Sequence, residues 1–249
     1  MCNIRLYNGD CLEVMNSLIQ KGVKVDAVIT DPPYGTTTCK WDNVIPFEPM
    51  WNCLHKLIKE NGAIVLFGSE PFSSSLRMSN LKEYRYDWVW KKNKASNFLF
   101  SNKQPLKCIE LVSVFYKRQP TYNPQKIINP KGKSKRHLGK MCDTNKISLD
   151  LMNNRPKMKY SKNYEPDKLL PKQIIEFNVE NKKLHPTQKP IDLCEYLIKT
   201  YTNEGDIILD FTMGSGSTGV ACKKLNRNFI GIELDEHYFK IAKERIENV

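Results

Sequence analysis

Residues 25–35, VDAVITDPPYG, set an acid, two prolines and an aromatic ring directly after a β-branched run. Consecutive prolines cannot continue a sheet ladder, and they hold the chain stiffly extended. The carbonyl of Pro32 is then fixed in space by Pro33, Asp31 adds a second acceptor and Tyr34 a flat face. Two neighbouring acceptors suit an exocyclic amine on a nucleobase, whose lone pair is delocalised into the ring. Holding both amino protons favours a pyramidal nitrogen with a localised lone pair, able to attack a methyl carbon in line with a departing sulfur. The Asp31 carboxylate also stabilises the positive charge that grows on that nitrogen, and Tyr34 can stack on a base swung out of its helix. A Pro-Pro turn with a helix-capping aspartate carries the same letters, so the tetrapeptide alone leaves both readings open.

A second constellation lies near the carboxyl end. A buried-looking strand, DIILDF, runs into TMGSGSTG, then a helix, then FIGIEL with Glu233 near its end. Gly214, Gly216 and Gly219 permit a tight turn and close approach of a ligand. Glu233 stands 19 residues past Gly214, where an acid can accept hydrogen bonds from both hydroxyls of a ribose. No GK[ST] follows the glycines, which disfavours an NTPase loop. The turn fits an adenosine-bearing cofactor and by itself does not separate NAD from S-adenosylmethionine.

Alternating elements must position these groups. Strands are expected at 4–7, 25–30, 63–68, 84–91, 108–117, 206–211 and 229–234. Helices are expected at 11–19, 49–60, 191–202, 217–225 and 236–249, with Gly62 ending the second. Such alternation predicts an α/β fold with a doubly wound, mostly parallel sheet and an antiparallel edge hairpin. Trp88 and Trp90 are expected to pack, whereas Phe98 and Phe100 at the hairpin tip stay unassigned beside the expected substrate cleft.

Residues 118–183 break the pattern. They hold 16 Lys and Arg against 6 Asp and Glu, which accounts for +10 of the chain's +12 formal charge. The segment is therefore expected to be a basic insert between the two parts of one sheet domain, 1–117 and 184–249. Lys131, Lys133, Lys135 and Arg136 are its densest cluster and are expected to contact a polyanion. A solvated loop has the same composition. No run of 18 apolar residues exists. The amino terminus, MCNIRLYNGDCLEVM, lacks a basic stretch followed by an apolar one, so a cytoplasmic protein is expected. The eight cysteines never approach closer than nine residues, which gives no zinc-ligand spacing, and no metal is expected.

Together, DPPY and DFTMGSGSTG resemble the amino-methyltransferases of DNA. HPTQKP (185–190), RNFIGIELDEHY (227–238) and NGAIVLFGSEPF (61–72) extend the resemblance over 1–117 and 184–249. The catalytic motif precedes the cofactor motif, as in the permuted β group, whose target-recognition region falls where this chain has its insert. The resemblance implies a Rossmann-like sheet and methyl transfer from S-adenosyl-L-methionine to a DNA amino group. Asp31, Pro32, Pro33 and Tyr34 would form the catalytic loop. The cofactor would meet Asp10, Asp210, Phe211, Gly214, Gly216 and Glu233, with its carboxylate on Thr187, Gln188 and Lys189. For Asp10 a plain helix N-cap is the competing reading. The aspartate of DPPY leans towards adenine N6, since cytosine-N4 members more often carry serine there. The family's glycine motif usually reads D-P-F-x-G-S-G-T-T; here Phe211-Thr212 replaces Pro-Phe and Ser217-Thr218 the threonine pair, which puts the role of Phe211 in doubt. A nicotinamide-dependent oxidoreductase would leave DPPY and the insert without purpose. A silent nucleic-acid-binding module would not need every catalytic residue. Recognition sequence, strandedness of the DNA, a homodimer and a companion restriction endonuclease stay open.

Overall fold

The computed structural model describes residues 2–36, 42–130, 132, 165, 167–181 and 184–249. The chain divides into two compact units, Met1–Asn123 with Lys172–Val249, and Pro124–Pro171.

In the first unit β1 (Ile4–Asn8) leads to α1 (Cys11–Gln20). Asp10 caps that helix, its Oδ1 accepting from the N–H groups of Leu12 (2.8 Å) and Glu13 (3.1 Å). Next come β2 (Val25–Thr30), α2 (Phe47–Leu57), β3 (Ile58–Gly68), α3 (Phe72–Ser79), β4 (Tyr84–Ser96) and β5 (Lys107–Phe115). The second unit contributes β6 (Ile127–Ile128) and β7 (Lys168–Leu169). The first resumes with β8 (Ile174–Phe177), α4 (Ile191–Tyr201), β9 (Ile207–Asp210), α5 (Ser217–Lys224), β10 (Asn228–Glu233) and α6 (Glu236–Glu247).

Eight strands form one sheet in the order β1-β10-β9-β2-β3-β5-β4-β8. All pairings are parallel except β3·β5 and β5·β4, so within this sheet β5 alone runs against the rest. Strands β2, β9 and β10 are almost wholly buried because helices cover both faces. Ala27 and Ile29 of β2 join a cluster with Leu197, Val220 and Ala242, from α4, α5 and α6. Val28 joins one with Met15, Leu54 and Leu76, from α1, α2 and α3. Trp88 and Trp90 are buried in the first cluster.

Three boundaries depart from the sequence expectation. The second helix stops at Leu57, not at Gly62: Ile58 is already extended and pairs with Val25. The register then jumps to Ala27↔Ala63, so residues 59–62 bulge from the strand. A Cβ at Gly62 would stand 2.7 Å from the Asp26 carbonyl, so this glycine permits the bulge and does not end a helix. Helix α3 is absent from the expected elements, its five polar positions hiding the buried Phe72 and Leu76. Strand β8 lies inside the 118–183 range yet pairs with β4 and covers the outer strand of the expected edge hairpin.

In the second unit β6 and β7 pair antiparallel, and Glu165 accepts Lys126 (3.5 Å) and Lys168 (3.0 Å). Lys131, Lys133, Lys135 and Arg136 lie outside the described residues.

Candidate active site

Strands β2 and β9 are neighbours, and the helices after them pack on opposite faces: α2 in one core cluster, α5 in the other. The crevice at their carboxyl ends is a topological switch point, where open α/β sheets hold ligands. Asp31 comes directly after β2 there and Asp210 ends β9. Thr30 Oγ1 donates to Asp210 Oδ1 (2.6 Å), and the Thr212 N–H also reaches that oxygen (3.2 Å). The Thr212 hydroxyl lies 2.7 Å from Thr30 Oγ1 and donates to the Asp31 carbonyl at 3.1 Å. The two motifs are thus tied by hydroxyls. Burial pushes the Asp210 carboxyl up to about 7, against the hydrogen bonds of Thr30, Thr218 and Thr212.

The DPPY loop is braced by Asp42, which sequence reading did not single out. Its Oδ1 accepts from the N–H groups of Tyr34 (2.8 Å) and Gly35 (2.9 Å), its Oδ2 from that of Thr36 (2.9 Å). An Asp shortly after the hydroxyl-rich stretch TTT is the signal that was available, since Asx side chains commonly tie turns.

A buried charge cluster surrounds Asp31. Its carboxylate receives the Lys189 ammonium and the Tyr34 hydroxyl. Glu110 of β5 stands 2.9 Å from Lys189 Nζ, 3.0 Å from the Tyr34 hydroxyl and 2.6 Å from Lys92 Nζ. Two carboxylates therefore face two ammoniums, and the cluster is neutral. Burial raises Asp31, and Lys189 opposes it. Burial alone would also raise Glu110, yet Lys189 and Lys92 draw it down to about 2. Lys189, which burial would lower, is held above the ordinary lysine value by Asp31 and Glu110. Tyr34 is raised by burial and by the two acids, and so stays a donor. Its ring stacks on Phe72 (5.1 Å, 28°), and the Lys189 ammonium stands 5.8 Å from the ring centre.

Lys189, which the sequence reading offers to the cofactor's carboxylate, has its ammonium on the carboxylates of Asp31 and Glu110 and also lines the cavity of the glycine turn. Its neighbours tie HPTQKP to the glycine turn. Gln188 Oε1 accepts from the Leu184 N–H (2.9 Å) and Ser215 Oγ (3.3 Å), and the Thr187 hydroxyl lies 3.1 Å from His185 Nδ1. Burial and Lys189 lower His185 to about 4, so its ring is neutral at ordinary pH.

The glycine turn needs its glycines, with φ of 53° at Gly214 and 78° at Gly216. The Gly214 N–H donates to Glu233 Oε2 (2.8 Å) and the Asp235 N–H to Oε1 (2.9 Å). Both carboxylate oxygens keep lone pairs for further donors. Phe211 is buried in the core beneath α1 and α2, while Thr212 makes the hydroxyl tie above, so the departure from the usual Pro-Phe has a structural use. The turn, DPPY, Asp10 and Glu233 line one cavity of about 330 Å³. The Ser217 hydroxyl lines it too, buried and without a hydrogen-bond partner.

Residues 25–244 match the sequence model of the family N6_N4_Mtase, described as DNA methylase. The chain is 27% identical over 267 residues to the Type II methyltransferase M.HpaI of Haemophilus parainfluenzae, spanning 98% of this chain and 74% of that one. It is 26% identical over 261 residues to the DNA adenine methyltransferase YhdJ of Escherichia coli (strain K12), covering 97% and 82%. The crystal structure of an M1.HpyAVI–SAM complex superimposes with a TM-score of 0.65 at 29% identity, covering 98% of both chains.

Proposed function

The chain belongs to the DNA methylase family, and from that premise we propose that it moves a methyl group from S-adenosyl-L-methionine to N6 of adenine in DNA. The observation that carries the reading is the neutral cluster around Asp31, set at the switch point beside a glycine turn that ends on Glu233.

The cavity residues fit the cofactor. Glu233 retains lone pairs for two ribose hydroxyls, Ser217 offers an unpartnered hydroxyl, and Leu12, Ile45 and Leu234 give apolar walls suited to an adenine ring. Asp10 spends one oxygen on its helix, and the other is free to accept from an adenine amino group. When bound, the cofactor supplies a sulfonium-activated methyl carbon.

The chain's own residues do the rest. The Asp31 carboxylate and the Pro32 carbonyl accept the two amino protons and localise the nitrogen lone pair. Asp31 then balances the charge that develops on nitrogen. Lys189 opposes the rise that burial imposes on the Asp31 carboxyl, and Glu110 holds Lys189 in place. Tyr34 orients Asp31 through its hydroxyl and lines the cavity in which it would meet the base. The relative named a DNA adenine methyltransferase supports adenine as the target. The basic stretch 118–183, with Lys131, Lys133, Lys135 and Arg136, would bind phosphates and read the target sequence. It would work in the cytoplasm beside a restriction endonuclease of the same specificity, a companion that relatives named Type II methyltransferases support.

The test is transfer of tritiated methyl from S-adenosylmethionine to unmethylated bacterial DNA, then digestion to nucleosides and chromatography. Label in N6-methyl-2′-deoxyadenosine is the expected result. Label in N4-methylcytosine redirects the target, and no label in DNA overturns the reading.

A further inference from the structure

Beyond the charge cluster, β4 and β5 run on as a hairpin, with β8 and residues 179–181 alongside β4 as far as Lys94. Trp90 pairs with Glu110, whose carboxylate belongs to the cluster, and residues 91–109 extend from that point. Strand β4 runs parallel to β2, so the hairpin tip projects from the same carboxyl edge of the sheet as Asp31. At the tip, one turn of 3-10 helix carries Phe98, Leu99 and Phe100, which are 64%, 97% and 47% exposed. The backbone fixes this knob: Phe100 N–H donates to the Asn97 carbonyl (3.1 Å), Ser101 N–H to that of Phe98 (3.1 Å) and Lys103 N–H to that of Phe100 (2.8 Å). From residue 94 to 109 there is no acid, while Lys94, Lys103 and Lys107 flank the knob.

Three contiguous apolar side chains this exposed are uncommon on a soluble surface and mark a contact. A narrow apolar knob with basic flanks matches a stack of bases between phosphate rails. It matches a second copy of the chain less well, because the like-charged flanks would repel and three side chains fall far short of the roughly 800 Å² per partner of a standard interface. Apolar side chains that part base steps are an established means of opening a duplex, and chemistry on a base amine requires the base to leave the stack. We propose that Phe98, Leu99 and Phe100 form a wedge that enters the duplex and fills the space left by the extruded target base. The proposal rests on the DNA-methylase reading above.

The test compares the parent with the variant Phe98→Ala/Leu99→Ala/Phe100→Ala. Two duplexes are built around the site that methylome sequencing of the parent, expressed in a methylation-free host, assigns. One keeps the target base paired, and the other places an abasic site opposite it, so that extrusion is cheap. The variant is expected to lose at least tenfold in kcat/KM on the paired duplex and to recover to within threefold of the parent on the orphan-base duplex. Its Kd for S-adenosylmethionine should stay within twofold, which reports an intact fold. An unchanged rate on the paired duplex overturns the wedge. So does an equal loss on both duplexes, which marks general docking, or a contact between copies if sedimentation shows a lost dimer. A parent that methylates no DNA refutes the functional reading itself, a result distinct from either.

Discussion

Replacing Lys189 by Met keeps the apolar stem of the side chain and removes its charge. In the parent the ammonium bridges Asp31 and Glu110, with side-chain exposures of only 9%, 19% and 7%. Removing one partner of a buried ion pair costs about 3–5 kcal/mol, because the remaining charge is left uncompensated. A carboxylate escapes that cost by binding a proton. Glu110 keeps Lys92 at 2.6 Å, so the proton goes to Asp31, which burial already raises. Taking the lower figure, about 3 kcal/mol corresponds to roughly two pKa units. Methyl transfer should therefore fall wherever the pH lies between the Asp31 pKa of the parent and that of the variant, by up to about 100-fold, and the residual rate should climb about tenfold per pH unit towards the variant's pKa. Adding Glu110→Gln removes the like charge facing Asp31 and should return at least about tenfold, a coupling expected of residues in direct contact. The assay is tritiated-methyl transfer over a pH series, with calorimetric titration of S-adenosylmethionine, whose affinity should barely change. A flat pH profile together with weakened cofactor binding would refute this account and return Lys189 to the cofactor's carboxylate.

Other consequences can be measured separately. Glu233→Ala should weaken S-adenosylmethionine binding by about 1.5–3 kcal/mol, the range for a hydrogen bond to a charged group, and calorimetry reads it directly. Asp210 has a folded-state pKa of about 7 against an ordinary 3.8. Its stabilising contribution is thus whole below pH ~4 and is lost as pH rises through about 7, a difference on the order of 4 kcal/mol. Urea unfolding of cofactor-free protein should show that slope in the parent and lose it in Asp210→Asn; parallel pH curves would count against it. Neutralising Lys131, Lys133, Lys135 and Arg136 together should flatten the salt dependence of DNA binding, whose log–log slope is roughly −0.9 per phosphate contact. A parent-like slope would make that stretch a solvated loop.

The sheet was legible wherever local pattern and burial agree. VDAVIT is a strand over the span its β-branched run predicts, because a parallel strand covered on both faces must be apolar throughout. The glycine turn was legible because only glycine takes its backbone conformation freely. Glu110 was missed, although an acid inside CIELVSVF, otherwise a core strand, is itself a signal that a charge is being buried for a purpose. Its partners Lys92 and Lys189 stand 18 and 79 residues away, and such pairings arise only once the sheet aligns them. Thr212 reads in the sequence as a departure from a motif, and its tie to the Asp31 carbonyl depends on the adjacency of β2 and β9, which single-chain periodicity does not report. Strand β8 escaped notice because an edge strand of four residues, with Ile174 and Glu176 outward, carries too little pattern to stand out from a polar segment.

The central claim is that Asp31 addresses the target amine and not the cofactor. Asp31→Ala, assayed for tritiated-methyl transfer to DNA and for equilibrium binding of S-adenosylmethionine, tests it most directly. Methyl transfer should be nearly abolished while cofactor affinity stays within a few-fold of the parent's. Retained transfer in the variant, or a loss of transfer explained wholly by lost cofactor binding, would contradict it.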